Sequence, residues 1–246
     1  MSDSNVNNTT DKPVATSTLA ALTVISALGP SPTVSMVWKD VATITVQAGN
    51  YWCGNAWLNV GAAVDWSWVL DTGTEEASTW YYLYLSNVTG TPTKVASKTA
   101  PTGRLNTNLS GTTYDANVYL GAFKNDASGD IITFTQSGNI FLRSASPDLT
   151  HTGDTNYTST DVSLYIPIVA NSIYGRMTNG GININVTSHV ASSASPGVFA
   201  DLLQYQKDIW SAGWISIVTP QTIWLQLDNG ANTIYYSVLG WMDKWL

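Results

Sequence analysis

The chain has 246 residues and a formal net charge of −7, and only 11% of its residues are Asp, Glu, Lys or Arg, against roughly 25% in typical globular domains. Its polar residues are mainly 31 Thr, 25 Ser and 19 Asn, and only 2 of its 17 carboxylates are Glu. Because helices expose Glu and Lys whereas Thr, Val, Tyr and Trp favour strands, this composition predicts an all-β protein and excludes a helical bundle. The 10 basic residues are scattered singly, which disfavours nucleic acid and anionic membranes as partners.

The N-terminal segment 1–18 is polar and has few apolar side chains that could offset the entropy cost of ordering it. We expect an extended arm that is either disordered or ordered by lying on a partner, followed by a β-sandwich-type domain over residues 19–246. The apolar run 19–28 is about half as long as a membrane span. The residues before it are unlike the basic start of a signal peptide. The sequence therefore predicts synthesis in a cytoplasm without a signal peptide.

Short segments in which apolar and polar residues alternate predict strands, because successive side chains of a strand face opposite sides of its sheet. The run 79–85, TWYYLYL, is aromatic on both faces, so we expect it to be covered by its own core and by a second sheet or another subunit. The other predicted strands are 41–47, 64–70, 116–123, 131–135, 161–169, 182–187, 222–227 and 233–238. This spacing predicts an antiparallel β-sandwich or jelly-roll-like fold, as one module or two stacked modules with a sub-boundary near 145–160.

Two local patterns lie in the C-terminal third. Ser195-Pro196-Gly197 resembles a helix start and precedes apolar residues at near-helical spacing, which predicts one short helix at about 196–210. The sequence DNGAN at 228–232 separates the predicted strands 222–227 and 233–238. Because Asn and Gly accept positive φ, this segment predicts a β-hairpin.

Candidate catalytic and metal-binding residues are few. Adjacent Glu75 and Glu76 would face opposite sides of an extended chain, so they cannot form the carboxylate pair of a glycosidase. Asp126 and Asp130 share a loop that lacks the ligand pattern of a calcium loop, and a hairpin turn is the favoured interpretation over a cation site. Cys53 and two histidines are too few for a structural zinc site. We predict that the protein is not an enzyme and has no cofactor.

Tryptophan is unusually abundant, with 11 copies, none of them in residues 81–209. Its large apolar ring serves in cores, in subunit interfaces and as a platform for sugars. Trp224 is predicted to face solvent or a partner, because Ile223 and Leu225 occupy the opposite face of its strand. Trp241 and Trp245 lie in an apolar chain end that we expect to be docked. These three tryptophans are the candidate contacts for a partner or a glycan.

Four segments of the chain, in this order, form a pattern of motifs: LDTG at 70–73, TWYYLYL at 79–85, GAFKNDASGDIITFTQSGN at 121–139 and GWMD at 240–243. This pattern resembles virion structural proteins of tailed bacteriophages, of the tail-fibre, head-fibre or decoration kind. None of the matched residues is catalytic in that family. They are expected to specify the fold, with the principal fold-motif residues being Asp71, Gly73, Trp80, Tyr81, Asp126 and Gly129.

The resemblance implies a non-enzymatic virion component that is held by its N-terminal arm and exposes a β domain on the particle surface. Proteins of this type are commonly trimers, so we expect a homotrimer that contacts the major capsid or tail protein. The alternative is a receptor-binding tail-fibre tip whose exposed aromatic side chains recognise host-surface glycans. A polysaccharide-degrading enzyme is disfavoured, because it requires two carboxylates that face one groove.

Overall fold

In the computed structural model the chain is an all-β protein, as its composition predicts, and no helix occurs among the described residues. The structure describes residues 36–53, 57–66, 69–88, 91–105, 109, 116–143, 149–152, 155–181, 185–194, 202–206, 210–228 and 232–246. The predicted N-terminal arm, residues 1–18, lies outside them. In this part of the chain no helical segment is long and apolar enough to cross a membrane.

The N-terminal half forms three small sheets. Its described strands are β1 (Met36–Asp40), β2 (Thr43–Val46), β3 (Gly49–Trp52), β4 (Trp57–Val60), β5 (Val64–Trp66), β6 (Val69–Leu70), β7 (Trp80–Val88), β8 (Thr91–Ser97) and β9 (Ala116–Lys124). The strand orders are β1-β2-β5, β3-β4 and β6-β8-β7-β9. Only β6 and β8 pair in parallel within these sheets, so the half is essentially antiparallel.

The C-terminal half forms a six-stranded and a four-stranded antiparallel sheet. Its described strands are β10 (Phe134–Ser137), β11 (Ile140–Arg143), β12 (Leu149–Thr152), β13 (Thr158–Asp161), β14 (Ala170–Gly181), β15 (Asn185–Ala191), β16 (Leu202–Gln206), β17 (Trp210–Ser216), β18 (Thr222–Leu227) and β19 (Asn232–Asp243). One sheet has the order β10-β11-β19-β14-β17, with β12 also paired to β19. The other has the order β13-β18-β15-β16.

The two C-terminal sheets pack as a β-sandwich around a shared core. Alternate side chains of β14 and β19, such as Ile173 and Ile234, belong to the same buried cluster as Ile223 of β18. The cluster extends to Met36 of β1 and Leu83 of β7, so the core is continuous with the N-terminal sheets. The sub-boundary near 145–160 stays a prediction, since part of that segment lies outside the described residues.

Both faces of β7 are buried, as its aromatic pattern predicts. Tyr81 belongs to the main core, whereas Tyr82 and Tyr84 point to the other face and form a second cluster. Within the chain, that second face is covered by Val169 and by the chain end at Trp245. The apolar C-terminus is therefore docked within its own chain.

Asp243 anchors this docked end and is fully buried. The Tyr119 hydroxyl donates a hydrogen bond to Asp243 Oδ2 at 2.6 Å, and the Trp245 N–H donates to Oδ1 at 2.9 Å. Burial raises the pKa of Asp243 to about 6, although both hydrogen bonds and the charge of Lys244 favour the ionised form. The carboxyl group consequently prefers its proton in the folded state at mildly acidic pH.

This preference predicts a measurable pH dependence of stability. The folded pKa of Asp243 exceeds the usual 3.8, so its contribution is fully present below about pH 4 and is lost as pH rises through 6. We expect wild type to lose about 2 kcal/mol of unfolding free energy from this group across that window. In Asp243→Asn that part of the decrease should disappear. Denaturant titrations at several pH values measure it, and identical pH profiles for the two proteins would contradict the assignment.

Two predictions for the C-terminal third are wrong. Residues 202–206 of the predicted helix at 196–210 form strand β16, which pairs with β15, while residues 195–201 and 207–209 lie outside the described part. Apolar residues at approximately helical spacing do not decide between helix and strand when a neighbouring edge can supply backbone hydrogen bonds.

The predicted hairpin over 222–227 and 233–238 is also absent, because β18 and β19 belong to different sheets. Strand β18 pairs with β13 and β15, whereas β19 pairs with β11, β12 and β14. Each strand turns an apolar face to the shared core from opposite sides of the sandwich. The long β14–β19 ladder outweighs the local turn preference of this segment, of which residues 229–231 lie outside the described part.

The predicted strand 161–169 is mostly a series of turns, and only Asp161 lies in β13. The Asp161 carboxylate accepts hydrogen bonds from the N–H and hydroxyl of Ser163 at 2.8 and 2.9 Å. This local side-chain bonding competes with a ladder, and Pro167 has no N–H to donate. Elsewhere, 64–70 divides into β5 and β6, 131–135 contains only the start of β10, and 182–184 lies outside the described residues.

Candidate functional site

A cavity of about 270 Å³ lies beside β7, β9, β10, β11 and β19, under the turn that follows β13. Strands β7 and β9 pair so that Trp80 lies opposite Lys124. Strands β11 and β19 pair so that Phe141 lies opposite Trp241. The antiparallel ladders thereby bring residues from distant parts of the sequence to one opening.

Aromatic rings form the floor of the cavity. Trp80 and Trp241 meet edge to face, with ring centroids 5.3 Å apart and planes at 85°. Trp241 also stacks on Phe141 at 5.1 Å with nearly parallel planes. The Trp80 indole N–H donates to the Ser163 carbonyl at 2.9 Å, which fixes the ring against the turn segment. The floor is therefore apolar and rigidly packed.

Two cationic side chains line the same cavity. Lys124 Nζ donates to the Leu164 carbonyl at 2.6 Å and lies 5.7 Å from the Trp80 ring centroid. The Arg143 guanidinium lies 5.6 Å from the centroid of the Tyr165 ring. Burial lowers the pKa of Lys124, and the positive charge of Arg143 lowers it further. The cavity is thus lined by two positive charges, and their mutual repulsion contributes to the lowered pKa of Lys124.

Asn125 supplies a polar group at the end of β9 and is fully buried. Its Nδ2 donates to Glu75 Oε1 at 2.6 Å. Its Oδ1 is buried and has no hydrogen-bond donor among the described residues. Asn125 lines the cavity together with Lys124, so an acceptor without a donor lies beside a cation.

The turn after Asn125 is the one that the sequence predicts. Asp126 Oδ1 accepts hydrogen bonds from the N–H groups of Ser128 and Asp130 at 2.7 and 3.0 Å. Gly129 has φ of +89°, which glycine adopts without strain. The bridge between Asn125 and Ile131 closes the turn. Asp126 therefore orders the backbone of the loop. It also lines the cavity.

Three other motif residues have structural contacts before and within β7. Asp71 Oδ2 accepts from the Ser97 hydroxyl at 2.8 Å, and Gly73 has φ of +76°. The Tyr81 hydroxyl accepts from the Glu76 N–H at 2.7 Å, while its ring stacks on Phe123 at 5.6 Å. These contacts hold the 71–79 loop against the sheet.

The three candidate contact tryptophans do not come together. Trp224 is half-buried on the face of β18 opposite Ile223 and Leu225, as its strand pattern predicts. Trp241 is only 3% exposed, so its predicted role as a surface contact must be corrected to a core role on the cavity floor. Trp245 is half-buried in the second cluster, where Lys244 Nζ lies 5.1 Å from its ring.

The cationic side chains of the cavity were not predicted from the sequence. Lys124 is the one charged residue in the otherwise apolar end of β9, and this was the available signal. Arg143 and Tyr165 carry no local signal, because they reach the site only through the β11–β19 pairing and the turns at 162–169. Among the described residues, no group of three or more His, Cys, Asp or Glu could hold a metal ion.

The geometry is that of a small cavity with cationic and aromatic walls. No protein-family model matches the chain, and comparisons with curated proteins and with solved structures likewise find no match. The function is accordingly inferred from the motifs and from the arrangement of the described residues.

Proposed function

We propose that the chain is a non-enzymatic structural protein of a tailed-bacteriophage virion. Its N-terminal arm anchors it to the major capsid or tail protein, and its β domain is exposed as a decoration or a head or tail fibre. The observation that carries the proposal is that the motif segments lie together in the fold. The motif segments that resemble virion proteins meet around one core, where Trp80 contacts Trp241 and Tyr81 contacts Phe123. Motif segments that pack against one another support the resemblance more strongly than four short matches at unrelated places would.

An exposed aromatic face supports assembly into a homo-oligomer, for which we propose a trimer. On the outer side of the six-stranded sheet, the rings of Tyr174 and Trp214 are 5.1 Å apart. Tyr235 lies opposite Thr178, on the same side of β14 as Tyr174. Trp214 and Tyr235 are 39% and 42% exposed. Clustered exposed aromatics are typical of protein interfaces, and closed symmetry would cover them.

Localisation on particles tests the virion assignment. Purified virions would be analysed by mass spectrometry and labelled with gold-conjugated antibody against the β domain. We expect the chain in the particles and label on their outer surface. Presence of the chain in infected-cell lysate together with its absence from purified particles would overturn the assignment.

A receptor-binding tail-fibre tip is the second candidate function, and the half-buried position of Trp224 favours it. The exposed part of its indole ring offers an apolar surface on which a sugar ring of a host-surface glycan can pack. We expect phage carrying Trp224→Ala to assemble normally and to adsorb to host cells at least tenfold more weakly. Equal adsorption rates for variant and wild type would contradict this candidate function.

A further inference from the structure

The cavity at Trp80 joins an apolar floor to convergent polar groups, which is the usual composition of a small-molecule site. Its volume of about 270 Å³ falls near the lower end of ligand pockets, roughly 300–1,000 Å³. The occupant should therefore be small, about the size of one ring with its substituents.

We propose that this cavity binds a single carboxylated sugar, with the carboxylate at Lys124 and Arg143 and a sugar hydroxyl donating to Asn125 Oδ1. The proposal names a ligand class for the glycan-binding candidate function, but it depends on a different site from Trp224. It also holds whether or not the chain is carried on a virion. Ligand binding to the purified protein tests this cavity, whereas phage adsorption tests the receptor-binding function, so either experiment can fail without the other.

The charge of the site favours a monoanion. Lys124 and Arg143 repel each other across the cavity, and a carboxylate between them relieves that repulsion. A lysine ammonium has three donor hydrogens, and the Leu164 carbonyl takes one of them. The arginine fork matches a carboxylate in two parallel hydrogen bonds. Asp126 borders the same cavity. Its carboxylate would repel the second negative charge of a phosphate, which disfavours a dianion.

The uncharged walls favour a sugar ring. A pyranose has an apolar C–H face that packs on aromatic rings, and Trp80 and Tyr165 line the cavity. The buried Oδ1 of Asn125 lacks a donor among the described residues, and an unpaired buried acceptor destabilises a folded protein. A sugar hydroxyl supplies that donor, whereas an aliphatic carboxylate without hydroxyls does not.

The test is a titration of the purified full chain with N-acetylneuraminic acid and with glucuronic acid. Tryptophan fluorescence and isothermal calorimetry are the readouts, and glucose and glucose 1-phosphate are the comparison ligands. We expect saturable one-to-one binding of at least one acid, at least tenfold tighter than either comparison ligand. Affinity should fall as rising pH removes the proton of Lys124, and the fall should begin below the pH range of an ordinary lysine, because burial lowers the pKa of Lys124.

Two cavity variants and one control variant locate the binding. Arg143→Gln should weaken binding at least tenfold, and Arg104→Gln, at an exposed arginine outside the cavity, should leave it unchanged. Thr133→Trp places a large ring at the exposed rim and should block entry even if Arg143→Gln does not fold. The proposal is overturned by no saturable binding at millimolar acid, by equal or tighter binding of a comparison ligand, or by unchanged affinity in Thr133→Trp.

Discussion

Replacing Gly240 with alanine is expected to lower the free energy of unfolding by on the order of 3 kcal/mol or more. A Cβ atom at this position would lie 2.2 Å from the Phe141 carbonyl oxygen and 3.2 Å from Leu142 Cα. Both atoms belong to the backbone of β11, which pairs with β19 at this point. The clash therefore cannot be relieved by a side-chain rotation and must separate the two strands.

Urea denaturation followed by circular dichroism measures the loss. Gly61→Ala is the matched control, because a Cβ there would meet only Asn59 Oδ1 at 3.5 Å. The control should be neutral or slightly stabilising, since alanine reduces the entropy of the unfolded chain. Equal midpoints for the two variants would refute the role assigned to Gly240. Since Gly240 begins the GWMD motif, the result also tests whether that motif specifies the fold.

Lys94→Met is expected to stabilise the protein at pH 7 by on the order of 3 kcal/mol. Lys94 lies in β8 and is only 4% exposed, opposite Leu85 in the β7–β8 ladder. Burial lowers its pKa from 10.5 to about 7, and the Asp65 carboxylate offsets only part of that effect. Methionine has a similar length and no charge to desolvate, so it removes this cost.

The pH dependence distinguishes this explanation from improved packing. Between pH 7 and 10.5 the unfolded chain keeps a proton on Lys94 that the folded chain has lost, so the wild type becomes more stable as pH rises. The advantage of Lys94→Met should therefore shrink towards pH 10. Lys98→Met, at a more exposed lysine paired with Glu76, is the control and should change stability little. A destabilised Lys94→Met at pH 7 would contradict the proposed cost of burial.

The parts of the fold that the sequence predicts well are those with strong local signals. The double aromatic pattern of 79–85 indicated a strand buried on both faces, and β7 has that environment. The turn at Asp126 and Gly129 follows from side-chain acceptors and a left-handed glycine. In both cases the signal lies in residues that are close together in the sequence.

The errors arise where distant pairing outweighs local preference. Residues 228–232 have good turn chemistry, yet β19 joins β14 along nearly its whole length while β18 lies in the opposite sheet. Residues 202–206 become an edge strand because β15 presents backbone groups to them. The periodicity of a single sequence does not show which distant strand a segment will pair with.

The candidate site was only partly predictable for the same reason. Trp80, Asp126 and Trp241 were each selected from the sequence, on separate grounds, and the structure places all three on one cavity. Arg143 joins them only through the β11–β19 ladder and its contact with Tyr165. The chemistry of the cavity depends on this long-range convergence.

The central claim is that the chain acts by assembly, and the solution mass of the purified full chain tests it most directly. Multi-angle light scattering should give three times the chain mass of 26.5 kDa. Trp214→Ser, on the exposed aromatic face, should shift the mass towards one chain, while Trp52→Ser, at a similarly exposed tryptophan of β3, should not. A wild-type protein that remains a single 26.5 kDa chain at every concentration tested would contradict the account.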